Sequence, residues 1–378
     1  MKEELGKKNM TEDPKSAIIR TRNLEAYYGA NYVLKGINLL VRRGEILSIV
    51  GPSGGGKTTL LECISGTVKD KEAILKGDIV INGQDSTSIE PQKRNIGMVF
   101  QDLALFYHLT VEENIAFPLK IRKLSKKLIR EKVNSILELI KLTEKRNSKI
   151  NNLSGGEKQR VALARVLVYE PLIILMDEPL KALDQNLKLS FINDLLNIHK
   201  RIKFTLIFVT HDQSEALVLS DRIAILDNGK IIQANTPEII YKNPDNIFTA
   251  NFFGESNWKK VTINKESNSW NFNQIGNILT IPDIPEYDNL KVQDENLLWI
   301  RPENITIKKD SEQKVDTNSQ LILIGKVIDS WFFGNIYKIK VEVAEDESLL
   351  VNSKESYSIG EKVLLVLDHK EIKLFTSK

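Results

Sequence analysis

Gly51-Pro52-Ser53-Gly54-Gly55-Gly56-Lys57-Thr58-Thr59 decides the fold of this chain. It fits the phosphate-loop pattern G-x-x-x-x-G-K-[ST]. An apolar run, Ile46–Val50, comes just before it, and a helix-like run, Thr59–Ser65, just after. Glycines let a backbone wrap a polyphosphate closely, with its N–H groups turned inward. The start of the helix adds partial positive charge. In such a loop Lys57 reaches the β- and γ-phosphates, and the Thr58 hydroxyl is placed to ligate Mg²⁺. Gly51 to Thr59 is therefore a candidate triphosphate site.

On both sides of the loop, strand-like and helix-like segments alternate from about Ile18 to Phe253. Ile79-Val80-Ile81 and then Asn82-Gly83 predict a strand and a turn, and Ile96–Phe100 predicts a further strand. Lys126 to Leu142 carries an apolar stripe at helical spacing. Leu172–Met176 and Thr205–Thr210 are short apolar runs suited to buried parallel strands. Arg222–Leu226, the turn at 227–230 and Ile231-Ile232 predict a hairpin. This alternation predicts an α/β domain. Beyond Phe253, β-branched and aromatic residues with frequent turn residues predict a separate small β-barrel or sandwich.

The composition is that of an ordinary globular protein, 42% hydrophobic and 27% charged over 378 residues. Fifty-three Lys+Arg against 50 Asp+Glu leave a formal charge of +3, so nothing demands a nucleic-acid partner. No apolar run approaches the roughly 18 residues of a membrane-spanning helix. Met1–Ser16 is charged, lacks a signal core and predicts a flexible tail. The single cysteine, Cys63, excludes an intrachain disulfide and reads as a packed thiol on the helix after the loop.

Two further stretches carry chemistry. Asp177-Glu178 ends the apolar run Leu172–Met176. In a phosphate-loop protein the first carboxylate holds Mg²⁺, and the second is placed to polarise an attacking water. Asp177 is the metal candidate and Glu178 the general base. Ser154-Gly155-Gly156-Glu157 combines an S-x-x-E capping box with two glycines in the first helical turn. Each glycine costs about 0.8–1 kcal/mol there relative to alanine. They make sense if a phosphate approaches the backbone.

The loop, the L-S-G-G-E-K-Q-R stretch at 153–160, L-I-I-L-M-D-E-P at 172–179 and the strand-end His211 resemble, in content and order, the nucleotide-binding subunit of an ATP-binding cassette (ABC) transporter. The resemblance covers nearly all of 17–254. It implies a P-loop NTPase domain with a helical subdomain, binding ATP and Mg²⁺. It implies that Ser154, Gly155 and Gly156, with Glu157, meet the γ-phosphate of ATP held by a second copy. Gln101 resembles the glutamine that touches Mg²⁺ and water and faces the membrane subunit. Ala182-Leu183-Asp184 resembles the loop that crosses the dimer interface, and His211 the histidine that contacts the γ-phosphate. Tyr28, before Gly29, resembles the aromatic that stacks on adenine, with Tyr27 as its rival.

Leu298-Trp299-Ile300-Arg301-Pro302-Glu303-Asn304-Ile305 resembles a segment of the OB-like accessory domain, called TOBE, of importers for sugars, polyamines and ferric iron. The implied organisation is a tail (1–16), an ATPase domain (17–254) and a β-rich OB-like domain (255–378). The implied function is ATP hydrolysis that powers a binding-protein-dependent importer of a polyamine, ferric iron or a sugar. Two copies would act head to tail on two integral-membrane permease subunits, served indirectly by an extracytoplasmic solute-binding protein. The chain would lie peripherally on the cytoplasmic face of the inner membrane. The alternative is a non-transport ABC ATPase acting on nucleic acid or the ribosome; a single cassette and near-neutral charge oppose it. Lys181, Tyr107 and the length of Thr67–Gly77 depart from the family pattern.

Overall fold

Ile46-Leu47-Ser48-Ile49-Val50 carries no large polar side chain, so the segment can be covered on both faces, and all five residues are buried. The structure, a computed structural model, describes residues 17–68, 73–266, 269–274, 277–282, 295–309, 320–345 and 347–376. The tail expected at 1–16 and part of the long segment 67–77 lie outside them. The chain divides into two units that part between Ile240 and Tyr241.

The first unit runs β1 (Ala17–Tyr28), β2 (Asn31–Ile37), β3 (Leu40–Arg42), β4 (Ile46–Val50), α1 (Lys57–Ser65), β5 (Ala73–Ile81), β6 (Gln84–Asp85), β7 (Ile96–Val99), α2 (Val111–Ile121), α3 (Lys126–Leu139), α4 (Gly155–Leu167), β8 (Ile173–Asp177), α5 (Gln185–Ile202), β9 (Thr205–Val209), α6 (Gln213–Leu219), β10 (Arg222–Asp227) and β11 (Lys230–Asn235), with α7 (Pro237–Lys242) at the division. Its main sheet has the order β11-β10-β4-β9-β8-β7. All neighbours are parallel except the β10–β11 hairpin. A smaller antiparallel sheet, β2-β1-β5-β6 with β3 on β1, covers one face.

Strand alternation separates two cores. Ile174 and Met176 of β8, with Leu206 and Phe208 of β9, pack with α2, α3, α4 and α5. Ile173, Leu175, Ile207 and Val209 point the other way, onto α1 and the antiparallel sheet. Each such side chain contributes roughly 1.5–3 kcal/mol. The predicted helix at 126–142 forms over Lys126–Leu139, with Ser125 capping Leu128 N. α2, α3 and the start of α4 make the helical layer, through Ile115, Leu119, Val133, Leu137 and Val161.

The second unit contains α8 (Ile247–Phe252) and β12 (Asn257–Glu266), β13 (Ser269–Gln274), β14 (Asn277–Pro282), β15 (Glu295–Ile300), β16 (Ile305–Lys309), β17 (Gln320–Phe332), β18 (Tyr337–Ala344), β19 (Glu347–Ser353), β20 (Lys362–Asp368) and β21 (Lys373–Thr376). These form two antiparallel sheets, β14-β13-β12-β15-β21 and β16-β20-β17-β18-β19. Val261, Leu298 and Ile300 of the first share one core with Leu323, Ile339, Val351 and Leu365 of the second. Residues 241–254 pack in this unit. Arg301 explains why: its buried guanidinium donates to the Ala250 and Glu255 carbonyls at 2.9 Å each and to the Tyr241 carbonyl at 3.2 Å. It also lies over the Tyr241 and Trp299 rings. The Tyr241 hydroxyl, pushed up to about 12 by burial and by Glu303, donates to Glu303 Oε1 at 2.5 Å.

Candidate functional site

The loop expected to cradle phosphate leaves the end of β4 and enters α1. Gly51, Gly54 and Gly56 all have positive φ, and two of them have no room for a side chain. A Cβ on Gly51 would run into the Leu226 carbonyl, and one on Gly56 into Leu34. Lys57 is 6% exposed and its Nζ donates to the Gly51 and Pro52 carbonyls at 2.9 Å each. Burial lowers the ammonium's proton affinity, while Glu178 and Asp177 support its charge. The Asn228-Gly229 turn closes the loop from outside. The Gly229 N–H donates to the Gly55 carbonyl at 3.3 Å, and the Gly229 carbonyl accepts from the Lys35 N–H at 2.8 Å.

The neighbouring strands bring the carboxylates and the histidine to the same sheet edge. Asp177 pairs with Val209, and Val209 with Ile49, so the ends of β8, β9 and β4 are in register. Thr58 Oγ1 donates to Asp177 Oδ1 at 3.4 Å. Burial, with Glu178 beside it, holds the Asp177 carboxyl above the usual aspartate value despite that bond. Glu178 has φ 43°, in the left-handed region, and its N–H donates to the Val209 carbonyl at 3.0 Å. This turns the carboxylate away from the strand line. Glu178 Oε2 meets Lys181 Nζ at 3.0 Å and His211 Nδ1 at 3.5 Å. Burial raises the Glu178 carboxyl, but Lys181 and His211 outweigh it and hold the group below the usual range.

Gln101 follows β7 and lines a cavity of about 690 Å³ with Thr58, Glu62, Met98, Phe100 and Asp177. Tyr28 is half-buried at the end of β1. Its hydroxyl bonds to Thr59 and to Glu62 (3.2 Å) on α1. Tyr27 turns the other way and stacks on Tyr32, with ring centroids 4.4 Å apart and both hydroxyls donating to Glu25.

Ser154 caps α4. Its hydroxyl accepts from the Glu157 N–H at 3.3 Å, and Glu157 Oε2 accepts from the Ser154 N–H at 2.8 Å. Lys145 pairs with Glu157 from below. Asp184 caps α5 by accepting from the Leu187 N–H at 2.9 Å. Gly155 and Gly156 face Leu183 and Leu187 of that neighbouring segment. Among the described residues no hydrogen bond or ion pair joins 154–157 or Asp184 to the phosphate loop. The predicted residues thus form two groups, one around Lys57 and one at the start of α4 and α5.

A family model described as "ABC transporter" matches residues 34–181. A "Spermidine/putrescine import ATP-binding protein PotA" of Acetivibrio thermocellus is 40% identical over 358 residues, 95% of this chain and 96% of its own length. Proteins of the same name from Thermotoga maritima and Clostridium acetobutylicum are 37% and 41% identical, over 92% and 90% of this chain and 92% and 91% of their own lengths. The chain belongs to the ABC transporter ATP-binding proteins. It is an ATPase that drives solute import. Among solved structures, cbiO1 from Clostridium perfringens, part of the cbiONQ ABC transporter complex, matches 60% of this ABC ATPase and 90% of its own chain, at TM-score 0.55 and 29% identity.

Sequence reasoning missed several residues around the ATPase site. Lys181 stood out only as a departure, yet it is the cation on Glu178. Gly229 read as an ordinary turn, though Asn-Gly did signal the tight geometry that lets it reach the loop. Arg94 anchors the end of α1 by donating to the Cys63 and Ile64 carbonyls at 2.7 and 2.8 Å. No local pattern announced it.

Proposed function

We propose that this chain is the ATP-hydrolysing subunit of a polyamine importer, taking spermidine or putrescine. What carries this is the identity of 36–41% to proteins named for spermidine/putrescine import, combined with a sheet edge that gathers Lys57, Thr58, Asp177, Glu178 and His211. Two copies act head to tail on two permease subunits, reached through the surface around Gln101, on the cytoplasmic face of the inner membrane. A separate extracytoplasmic protein delivers the solute. No observation favours a non-transport role.

The donor set fits Mg²⁺. A hydroxyl and a carboxylate, Thr58 and Asp177, lie within 3.4 Å of each other, with Gln101 on the wall of the same cavity. Among the described residues no group of three His, Cys, Asp or Glu could form an all-protein cage. Mg²⁺ keeps few protein ligands and takes the rest from phosphate and water. Held by Thr58, Asp177 and Gln101, Mg²⁺ would supply neutralisation of charge on the transferring phosphoryl group.

Lys57 and the loop N–H groups hold the β- and γ-phosphates. Glu178 Oε2 is engaged by Lys181 and His211, which leaves Oε1 to take the proton of the attacking water. His211 keeps Nδ1 on Glu178 and offers Nε2 to the γ-phosphate. The glycines of α4 in the second copy approach the same phosphate. The test is reconstitution with the permease and binding protein. Spermidine or putrescine should stimulate ATP turnover, and stimulation by ferric iron or a sugar alone would reject the polyamine assignment.

A further inference from the structure

His211 stands on a short loop whose two flanks are tied down outside the nucleotide site. The Thr210 hydroxyl donates to Glu215 Oε2 at 2.6 Å and accepts from the Asp212 N–H at 3.0 Å. Asp212 Oδ1 caps α6 by accepting from the Ser214 and Glu215 N–H groups at 2.9 and 3.3 Å. The other oxygens of both carboxylates converge on one cation. Lys188 Nζ lies 3.1 Å from Asp212 Oδ2 and 2.9 Å from Glu215 Oε1. The side chains of Lys188, Asp212 and Glu215 are only 14%, 24% and 6% exposed. Burial opposes the Lys188 ammonium, but Glu215 and Asp212 outweigh it and hold it above the ordinary lysine value.

Lys188 belongs to α5, one turn after the helix cap. Its N–H donates to the Asp184 carbonyl at 3.0 Å. Leu183, just before that cap, is the residue a Cβ on Gly155 would meet, at 2.8 Å. A continuous packed path therefore leads from the start of α4, through Leu183 and the first turn of α5, to the loop that carries the histidine. Such a path can transmit a displacement because a helical turn moves as a rigid piece.

We propose that Lys188 is a positioning residue that couples the start of α5 to the His211 loop, so that movement at Asp184 is carried to the histidine. This rests on the reading of His211 as the γ-phosphate contact. Losing the cation leaves two half-buried or buried carboxylates facing each other, and their repulsion moves the segment between Thr210 and Asp212.

The test compares ATP turnover of the full-length wild-type chain, Lys188→Met, His211→Ala and the double variant. Lys188→Met should lower kcat about tenfold with KM for ATP within about twofold, and should cost less than about twofold in the His211→Ala background. Lys188→Arg, which keeps the charge, should recover most of the turnover. A Lys188→Met penalty as large with alanine at 211 as with histidine would overturn the coupling while leaving the histidine's own role intact. A wild-type kcat for Lys188→Met would overturn it as well. Full turnover in His211→Ala alone would remove the histidine reading and the proposal together. Should Lys188→Met fail to fold, Lys188→Gln enters the same four-way comparison with the same expectations.

Discussion

The phosphate loop and the start of α4 are both glycine-bearing helix N-termini, but they are built in opposite ways. At the loop the chain closes on itself: Gly51 and Gly56 are pressed against backbone and side chain, and Lys57 is buried. At α4, a Cβ on Gly156 would find its nearest neighbour at 3.9 Å, and the cap is made by Ser154 and Glu157 alone. Gly51 and Gly56 are required by the fold. Gly156 is not required by packing, whereas its neighbour Gly155 is pressed on Leu183. The contrast supports a site divided between two copies.

The largest expected effect lies in the loop half. Glu178→Gln should lower turnover by about 10²–10⁴-fold while ATP still promotes a dimer. Native mass measurement with and without ATP checks the second part, and wild-type turnover would remove Glu178 from the role. Next comes a mixing experiment. Lys57→Ala and Gly156→Asp chains should each be inactive alone, yet regain turnover when combined, because one of the two shared sites then has both intact halves. Inactivity of the mixture would dissolve the distinction between the halves.

Stability should separate Gly51 from Gly156 more gently. Gly51→Ala should destabilise the chain by about 1–3 kcal/mol through its collision with Leu226. Gly156→Ala should instead stabilise it by up to about 1 kcal/mol, because alanine is the better helix former. Urea denaturation of both variants gives the sign directly. The smallest effect concerns Cys63 on α1, whose thiol burial pushes up from 9.0 to about 12. A raised folded-state value means its contribution is full below pH 9 and is lost as pH climbs from 9 toward 12. Iodoacetamide at pH 8 should therefore label Cys63 only after unfolding.

Much of this architecture was legible because it is local. Ile46–Val50 announced a buried strand by having nothing polar to expose except Ser48. Asp177-Glu178 stood out as paired charge at the end of an apolar run. Ser154 and Glu157 specified their cap by spacing alone. What stayed hidden depends on residues brought together from afar. Lys188 reads as one more cation on an amphipathic helix until β9 delivers Asp212 and Glu215 to it. Arg301 belongs to a recognisable segment, but its grip on the Ala250, Glu255 and Tyr241 carbonyls requires the fold of the second unit. Strand partners there are similarly remote: β21 pairs with β15, across most of that unit's sequence.

The Asn228-Gly229 turn looks, by its residues, like a spare hairpin end on the surface. Both backbone groups of Gly229 are nevertheless engaged, and any side chain there would strike the Val33 carbonyl. A protein engineer choosing where to splice a fluorescent reporter into this chain would naturally select it. The splice would dislodge the outer wall of the 51–59 loop, and the reporter would signal its own damage rather than transport.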